Sequence, residues 1–279
     1  MTLENARPET GTGMFLSAEW RRLVMLSHEI DPDVLRPLVP RGVELDTWDG
    51  RHLVSMVGFQ FLDTRLLGVP APFHRDFDEI NLRFYVRRRA DDGWRRGVVF
   101  VKEIVPRWAL ATVARVVYGE KYVARPMRHR IDLHDGEVTP GGLVEYAWHD
   151  AGDWHHLRAT TDGPARPLVE GSQEEFVTEH YWGYAAQRGG GFVEYRVEHP
   201  SWQVRQARDA ALECDVEQVY GRPFAESLAA EPFSAFIADG SPVVVRRGAR
   251  LGRTSAPRRD PTDRPTDRDH RTLEPTWQT

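Results

Sequence analysis

The residues with the most chemical content fall in one run, residues 78–87. Strand side chains alternate, so an extended chain here points Ile80, Leu82, Phe84 and Val86 to one face and Glu79, Asn81, Arg83, Tyr85 and Arg87 to the other. A carboxylate, an amide, a guanidinium and a phenol on one face can hold and protonate a small ligand if that face looks into a cavity. The same pattern describes an outer face in water, and the strand by itself does not choose between the two.

The next run, residues 97–105, puts Val98, Phe100, Lys102 and Ile104 on one face and Val99, Val101, Glu103 and Val105 on the other. Both faces are otherwise apolar, so Lys102 or Glu103 is a charge in an apolar neighbourhood. Burial lowers the pKa of a lysine and raises that of a carboxylate, which is how amine nucleophiles and general acids are tuned. Alternatively, both heads reach water from the end of a strand. Lysine occurs only at 102 and 121, so amine chemistry has two candidates. The chain has 11 histidines, but none shows an HxxxH or paired Cys/His spacing, and the adjacent His155 and His156 point to opposite faces of a strand. No metal and no cofactor is expected. Residues 179–184 and 194–200 mix aromatics with charges, which suits a cavity wall or a core whose polar tips are bonded. There is no Gly-rich phosphate loop, nucleophile elbow or dinucleotide fingerprint.

The elements that must position these groups are mostly strands. Asp31 and Pro32 open a short helix over 32–38. Strands are predicted over 53–62, 80–89 and 97–105, the last two joined as a hairpin. A helix after Pro106 carries Leu110, Val113, Ala114 and Val117 at spacings of three and four and ends at Gly119. A meander follows over 122–133, 143–149 and 154–161, with a turn at Asp135-Gly136. Ser172 and Glu175 form a capping box for a helical turn, and residues 181–188 and 192–199 form a hairpin across three glycines. A helix over 223–230 and a strand over 242–247 complete the pattern. The fold class is α+β, mainly antiparallel β with a few flanking helices, and closing the sheet into a barrel is one way to hide its edges.

Composition bounds the partners. With 41% hydrophobic and 28% charged residues, the 279-residue chain is an ordinary globular protein. A formal charge of -5 gives no basic surplus for binding nucleic acid. One cysteine, Cys214, cannot form an internal disulfide, and no apolar run approaches the roughly 20 residues of a spanning helix. A cytoplasmic protein with no membrane or nucleic-acid partner is expected, and homo-oligomerisation is left open. Residues 1–13 read as a flexible N-terminus, 14–251 as a single domain, and the Arg/Pro/Thr/Asp-rich 252–279 as a disordered tail.

Several blocks carry a family resemblance: Phe15 to Arg21, Val57-Gly58-Phe59, Gly68-Val69-Pro70, Pro72 to Val86, Glu179 to Tyr184 and Gly240 to Val243. Together they resemble the YqjF-like family of uncharacterised proteins (domain of unknown function 2071), which is itself similar to acetoacetate decarboxylase. The resemblance implies an acetoacetate decarboxylase-like β-barrel around a ligand cavity, with Glu79 and Asn81 facing inward. Acetoacetate decarboxylase uses a Schiff-base lysine with an arginine and a glutamate nearby. By motif order Arg21 resembles that arginine and Glu79 that glutamate. The lysine belongs to an aromatic-Pro-Lys-Lys run, and here the stretch reads Tyr118-Gly119-Glu120-Lys121-Tyr122-Val123. Tyr122 takes the lysine's place and Lys121 falls one residue early, which on a strand turns it to the opposite face unless a bulge intervenes.

Three functions remain open at this point. In the first, the cavity binds a small organic acid or carbonyl compound, with Arg21, Asn81, Arg83 and Tyr85 binding the ligand and Glu79 or Tyr122 acting as acid or base, in a lyase-like manner if there is turnover. In the second, the same cavity belongs to a non-catalytic metabolite-binding or interaction module. In the third, Lys121 or Lys102 works as a Schiff-base amine.

Overall fold

The computed structural model describes residues 13–71, 74–106, 119, 121–187 and 190–252. The expected helix after Pro106, most of the N-terminal segment and the expected tail lie outside these residues. The strands are β1 (Met14–Glu29), β2 (Glu44–Leu45), β3 (Leu53–Leu66), β4 (Val69–Pro70), β5 (Phe77–Ala90) and β6 (Gly93–Val105). Then come β7 (Tyr122–Ala124), β8 (Met127–Ile131), β9 (Leu133–His134), β10 (Glu137–Val138), β11 (Leu143–Asp150) and β12 (Asp153–Pro167). The last five are β13 (Trp182–Ala186), β14 (Phe192–Glu198), β15 (Gln203–Glu213), β16 (Ser234–Arg246) and β17 (Ala249–Leu251).

One mostly antiparallel sheet runs β17-β14-β13-β6-β5-β3-β1-β16-β15-β12-β11-β8, and β14 also pairs with β16. That extra pairing joins β14, β13, β6, β5, β3, β1 and β16 in a circuit. Its two seams are short: the parallel β13–β6 pairing of Trp182 with Gly97 and Gly183 with Val98, and Val197 with Val245 and Glu198 with Val244. At the first seam glycine is required by space, because a Cβ on Gly97 would lie 2.3 Å from the Trp182 carbonyl oxygen.

Both faces of the circuit strands are covered. One carries Ala18, Leu23, Met25, Val57, Phe59, Tyr85, Val98 and Phe236. The other carries Val24, Leu26, Met56, Ile80, Leu82, Phe84, Tyr146, Trp148 and Leu157, because β15, β12, β11 and β8 extend the sheet and fold back across it. Gly58 makes room for this second layer; a Cβ there would meet the Tyr146 ring at 2.8 Å. Buried on both sides, β5 has no solvated face over Asp78–Val86.

The hairpin of β5 and β6, the β8-β11-β12 meander and the β13–β14 hairpin form as expected. Helices cover Pro32–Leu35, continued by a 3-10 turn over Arg36–Leu38, and Gln173–Thr178, Val216–Tyr220 and Arg222–Ala229. The Ser172 side chain accepts from Glu175 N at 3.1 Å, while the Glu175 carboxylate accepts from Gly171 N at 2.6 Å, one residue earlier than in a closed capping box.

Four expectations change. The strand expected over 122–133 is broken at Arg125-Pro126: β7 pairs with β6 and β8 with β11, since proline has no N–H to continue a ladder. β15 is not apparent from sequence, because its Ala-, Arg- and Gln-rich residues favour helix, and pairing with β12 and β16 overrides that preference. β16 begins at Ser234, well before 242. Finally, β6 does not keep one set of faces. Leu82 pairs with Lys102 and Arg83 with Phe100, leaving Val101 as an extra residue in a bulge. The bulge changes the parity, so Phe100 and Glu103 share a face.

Candidate functional site

The face of the circuit strands that carries Phe59 and Tyr85 borders a cavity of about 100 Å³ lined by Trp20, Leu23, Phe59, Phe61, Glu79, Asn81, Arg83, Phe100, Glu103, Tyr122 and Tyr195, among others; this face is termed inward. Apolar rings make most of the wall, and the polar groups gather on the adjoining strands β5, β6 and β7. The register explains why: Asn81 stands opposite Glu103 on β6, and Glu103 stands opposite Tyr122 on β7.

Glu79 is 2% exposed. It accepts a hydrogen bond from Asn81 Nδ2 at 3.0 Å and another from the Tyr122 hydroxyl at 3.1 Å. Burial raises its pKa to about 7, against the opposing pull of these two donors and of the Arg83 charge. Tyr122 has its pKa pushed well above the ordinary phenol value, first by burial and then by the Glu103 and Glu79 charges, and it is also within hydrogen-bonding reach of Glu103. A phenol has one proton to donate, so a tyrosine between two carboxyls donates to one and can accept from the other. The arrangement Glu103, Tyr122, Glu79 therefore has a place for a shared proton near neutral pH.

Arg83 ends the row on β5. Its Nη2 donates to the Val177 carbonyl at 3.0 Å, which ties the guanidinium to the helix Gln173–Thr178. Arg83 also lines a second cavity of about 30 Å³ with His180, His199, Trp202 and Trp182, so it stands where the two meet. His180 Nε2 lies 3.3 Å from Asp46 Oδ2, and burial lowers its pKa.

Of the residues singled out from the sequence, Glu79, Asn81, Arg83 and Tyr122 come together at the main cavity. Arg21, Tyr85 and Lys121 do not line it. Trp20 takes the inward position on β1, so alternation turns Arg21 away, where its Nε donates to Glu19 at 2.8 Å. Tyr85 shares the inward face of β5, but Phe176 and His180 cover it, at ring separations of 5.1 and 4.9 Å, and its hydroxyl bonds Ser55 Oγ at 2.7 Å. Lys121 is exposed, and its carbonyl accepts from Glu103 N at 3.2 Å. Lys102 lies on the face of β6 opposite to Glu103, where Nζ donates to the Val219 carbonyl and burial lowers its pKa.

Two ionisable lining residues, Glu103 and Tyr195, are not assigned to the site by the sequence. Glu103 was visible as a charge in an apolar run, but only the bulge at Val101 turns it toward Phe100 and the cavity. Tyr195 belongs to an aromatic and charged stretch and packs over Gly183, where a Cβ would be 2.1 Å from its Cζ. Among the described residues no three His, Cys, Asp or Glu side chains gather as a metal-ligand set, and no helix is long and apolar enough to cross a membrane.

Known proteins are similar in two ways. Over 75 residues the chain is 36% identical to the uncharacterized protein YqjF of Bacillus subtilis (strain 168), an alignment covering 26% of this chain and 31% of that relative. Thus the alignment spans about a third of the curated relative it matches. Solved structures share the fold. The enduracididine biosynthesis enzyme MppR complexed with pyruvate has a TM-score of 0.63 at 14% identity, covering 90% of this chain and 95% of that one. An acetoacetate decarboxylase from Legionella pneumophila has a TM-score of 0.62 at 12% identity, over 90% and 92% of the two chains. An acetoacetate decarboxylase-like enzyme from Sphingomonas wittichii RW1 has a TM-score of 0.59 at 15% identity, over 90% and 98%. At these identities the likeness shows an acetoacetate decarboxylase-like fold and nothing more. The family match is broader, spanning residues 17–242, and by it the chain belongs to the DUF2071 family of uncharacterized conserved proteins.

Proposed function

We propose that this chain is a soluble, cytoplasmic protein that binds a small organic acid or carbonyl compound in the larger cavity, and that Glu79 exchanges a proton with it. The strand circuit is read as a closed β-barrel around that cavity. The observation that carries the proposal is Glu79 itself: a buried carboxyl, bonded by Asn81 and Tyr122, with a pKa of about 7. A base of that pKa is matched to proton transfer at neutral pH. Ionised Glu79 takes a proton from the carbon beside a carbonyl, and the C–H electron pair moves toward the carbonyl oxygen. As Glu79 becomes protonated, Tyr122, whose phenol stays protonated, turns the hydrogen bond it gave Glu79 to that oxygen. The carboxylate end of an acid falls to Arg83, the arginine on the cavity wall, in place of Arg21. Pyruvate, found in the MppR structure of the same fold, is a suitable first probe.

The test is loss of the methyl proton signal of pyruvate in deuterium oxide. Wild type is expected to exchange these protons and Glu79→Gln to bind pyruvate without exchanging them. Binding without exchange in wild type would make the protein a metabolite-binding module, and absence of binding would end the proposal. Neither lysine lines the cavity, so borohydride with pyruvate is expected to leave the intact mass unchanged.

A further inference from the structure

Of the polar atoms buried without a partner at the cavity, Trp20 Nε1 belongs to β1 and two share one face of β5, Asn81 Oδ1 and Arg83 Nε. Their residues are 2% and 9% exposed, and both line the larger cavity. A buried polar group without a hydrogen bond is costly, so a pair left open at a cavity is a template for what enters it. The two atoms ask for different things. Glu79 Oε1 is an acceptor, so the Asn81 amide turns its nitrogen that way, and the atom left over is a carbonyl oxygen that needs a donor. Arg83 Nε–H is a charged donor that needs an acceptor, and the bond from Nη2 to Val177 O prevents the guanidinium from swinging away to find one.

From this we infer that the ligand is a hydroxylated organic acid, its hydroxyl donating to Asn81 Oδ1 and its carboxylate accepting from Arg83 Nε–H. The assignment rests on the cavity reading above and narrows it to a chemical class. Asn81 and Arg83 are two residues apart on one strand face, about 7 Å at the backbone, a separation that a short hydroxy acid bridges with a hydrogen bond at each end. A plain acid satisfies Arg83 and leaves the amide oxygen open. A neutral diol can offer a hydroxyl to each atom but brings no negative charge to the guanidinium, so its bond to Arg83 Nε–H is the weaker, neutral kind. Arg83 also faces the 30 Å³ cavity, so the carboxylate end lies at the junction of the two spaces.

The test compares matched pairs by calorimetric titration: 3-hydroxybutanoate with butanoate, lactate with propanoate, and 1,3-butanediol as the neutral control. The hydroxy acid is expected to bind about tenfold more tightly than its deoxy partner, the factor that one buried, otherwise unmatched hydrogen-bonding group supplies. In Asn81→Ala that ratio is expected to fall to about one while acid binding remains. Should the variant not fold, the wild-type ratio and the Arg83 Nε–Hε resonance, assigned by its loss in Arg83→Lys, provide an independent readout. That resonance is expected to move further downfield with either acid than with the diol. If both members of each pair bind equally, or the preference survives in Asn81→Ala, the hydroxy-acid assignment falls while the cavity reading stands. If no acid and no pyruvate binds, both fall.

Discussion

Replacing Glu79 with glutamine tests whether the cavity is as dry as its walls suggest. In the unfolded chain a glutamate has a pKa near 4.5, and in the folded protein burial raises that of Glu79 to about 7. Between those values the unfolded chain has released its proton and the native protein has kept it. Folding therefore takes up a proton, and stability falls as pH rises. Above pH 7 the full cost applies. The gap from 4.5 to about 7, at about 1.4 kcal/mol per pH unit, is about 3 kcal/mol. Glutamine has the same shape and no charge to desolvate, so Glu79→Gln is spared this cost. Its amide oxygen accepts only part of what the carboxylate accepts from Asn81 and Tyr122, which adds an offset that does not change with pH. The expected result is that the stability of Glu79→Gln relative to wild type improves by about 2.5 kcal/mol between pH 5 and pH 8, the rest of the difference lying below pH 5. Urea denaturation followed by tryptophan fluorescence measures this directly, because the slope of free energy against denaturant is common to both proteins. Parallel stability profiles, differing by a constant from pH 5 to pH 8, would refute the reasoning, because they would mean that the Glu79 carboxyl is solvated and has no proton to hold at neutral pH.

Gly183→Ala should displace Tyr195 from the cavity wall, since the new Cβ would lie 2.1 Å from Cζ of that ring; thermal unfolding is expected to show a loss of about 1–3 kcal/mol, typical of forced overpacking. His129 Nδ1 lies 2.9 Å from Asp78 Oδ2, and that hydrogen bond raises the histidine pKa. The resulting stability is present below pH 6.5 and is lost as pH rises through the raised value, and it is small because the imidazole is half-exposed. A proton NMR titration is expected to place His129 above 6.5 in wild type and closer to it in Asp78→Asn.

Legibility from sequence differs from residue to residue. Alternation along residues 79–87 separates Glu79, Asn81 and Arg83 from Ile80, Leu82 and Phe84, and the two sets do occupy opposite faces of β5. The rule needs only an extended backbone, so it can be applied without knowing what packs on either side. It does not separate Tyr85 from Arg83, which share a face, because that depends on the helix Gln173–Thr178, nearly a hundred residues away. Nor does it place Glu103 beside Phe100. A bulge is a local excess of one residue relative to a partner strand, and nothing within a single strand counts its partner. β1 shows the same limit: two residues, Arg22 and Leu23, stand where the partner strand has one, Arg22 takes a positive φ of 57°, and Trp20 and Leu23 both face inward. The opposing strand accommodates this at Gly240, where a Cβ would lie 2.0 Å from the Trp20 carbonyl oxygen.

By itself the sequence determined the strand-rich class, the polar row on β5 and the scarcity of lysine, since each follows from residue type and local spacing. Which of the polar groups meet in one cavity was decided only by the tertiary structure. The seams β13–β6 and β14–β16, the second sheet layer over β3 and β5, and the two bulges are contacts between distant segments. Those contacts bury Glu79, bring Tyr122 and Glu103 to it, and leave Arg21 and Lys121 outside. The Glu79 carboxyl comes to exchange its proton near pH 7 because the fold has removed its water.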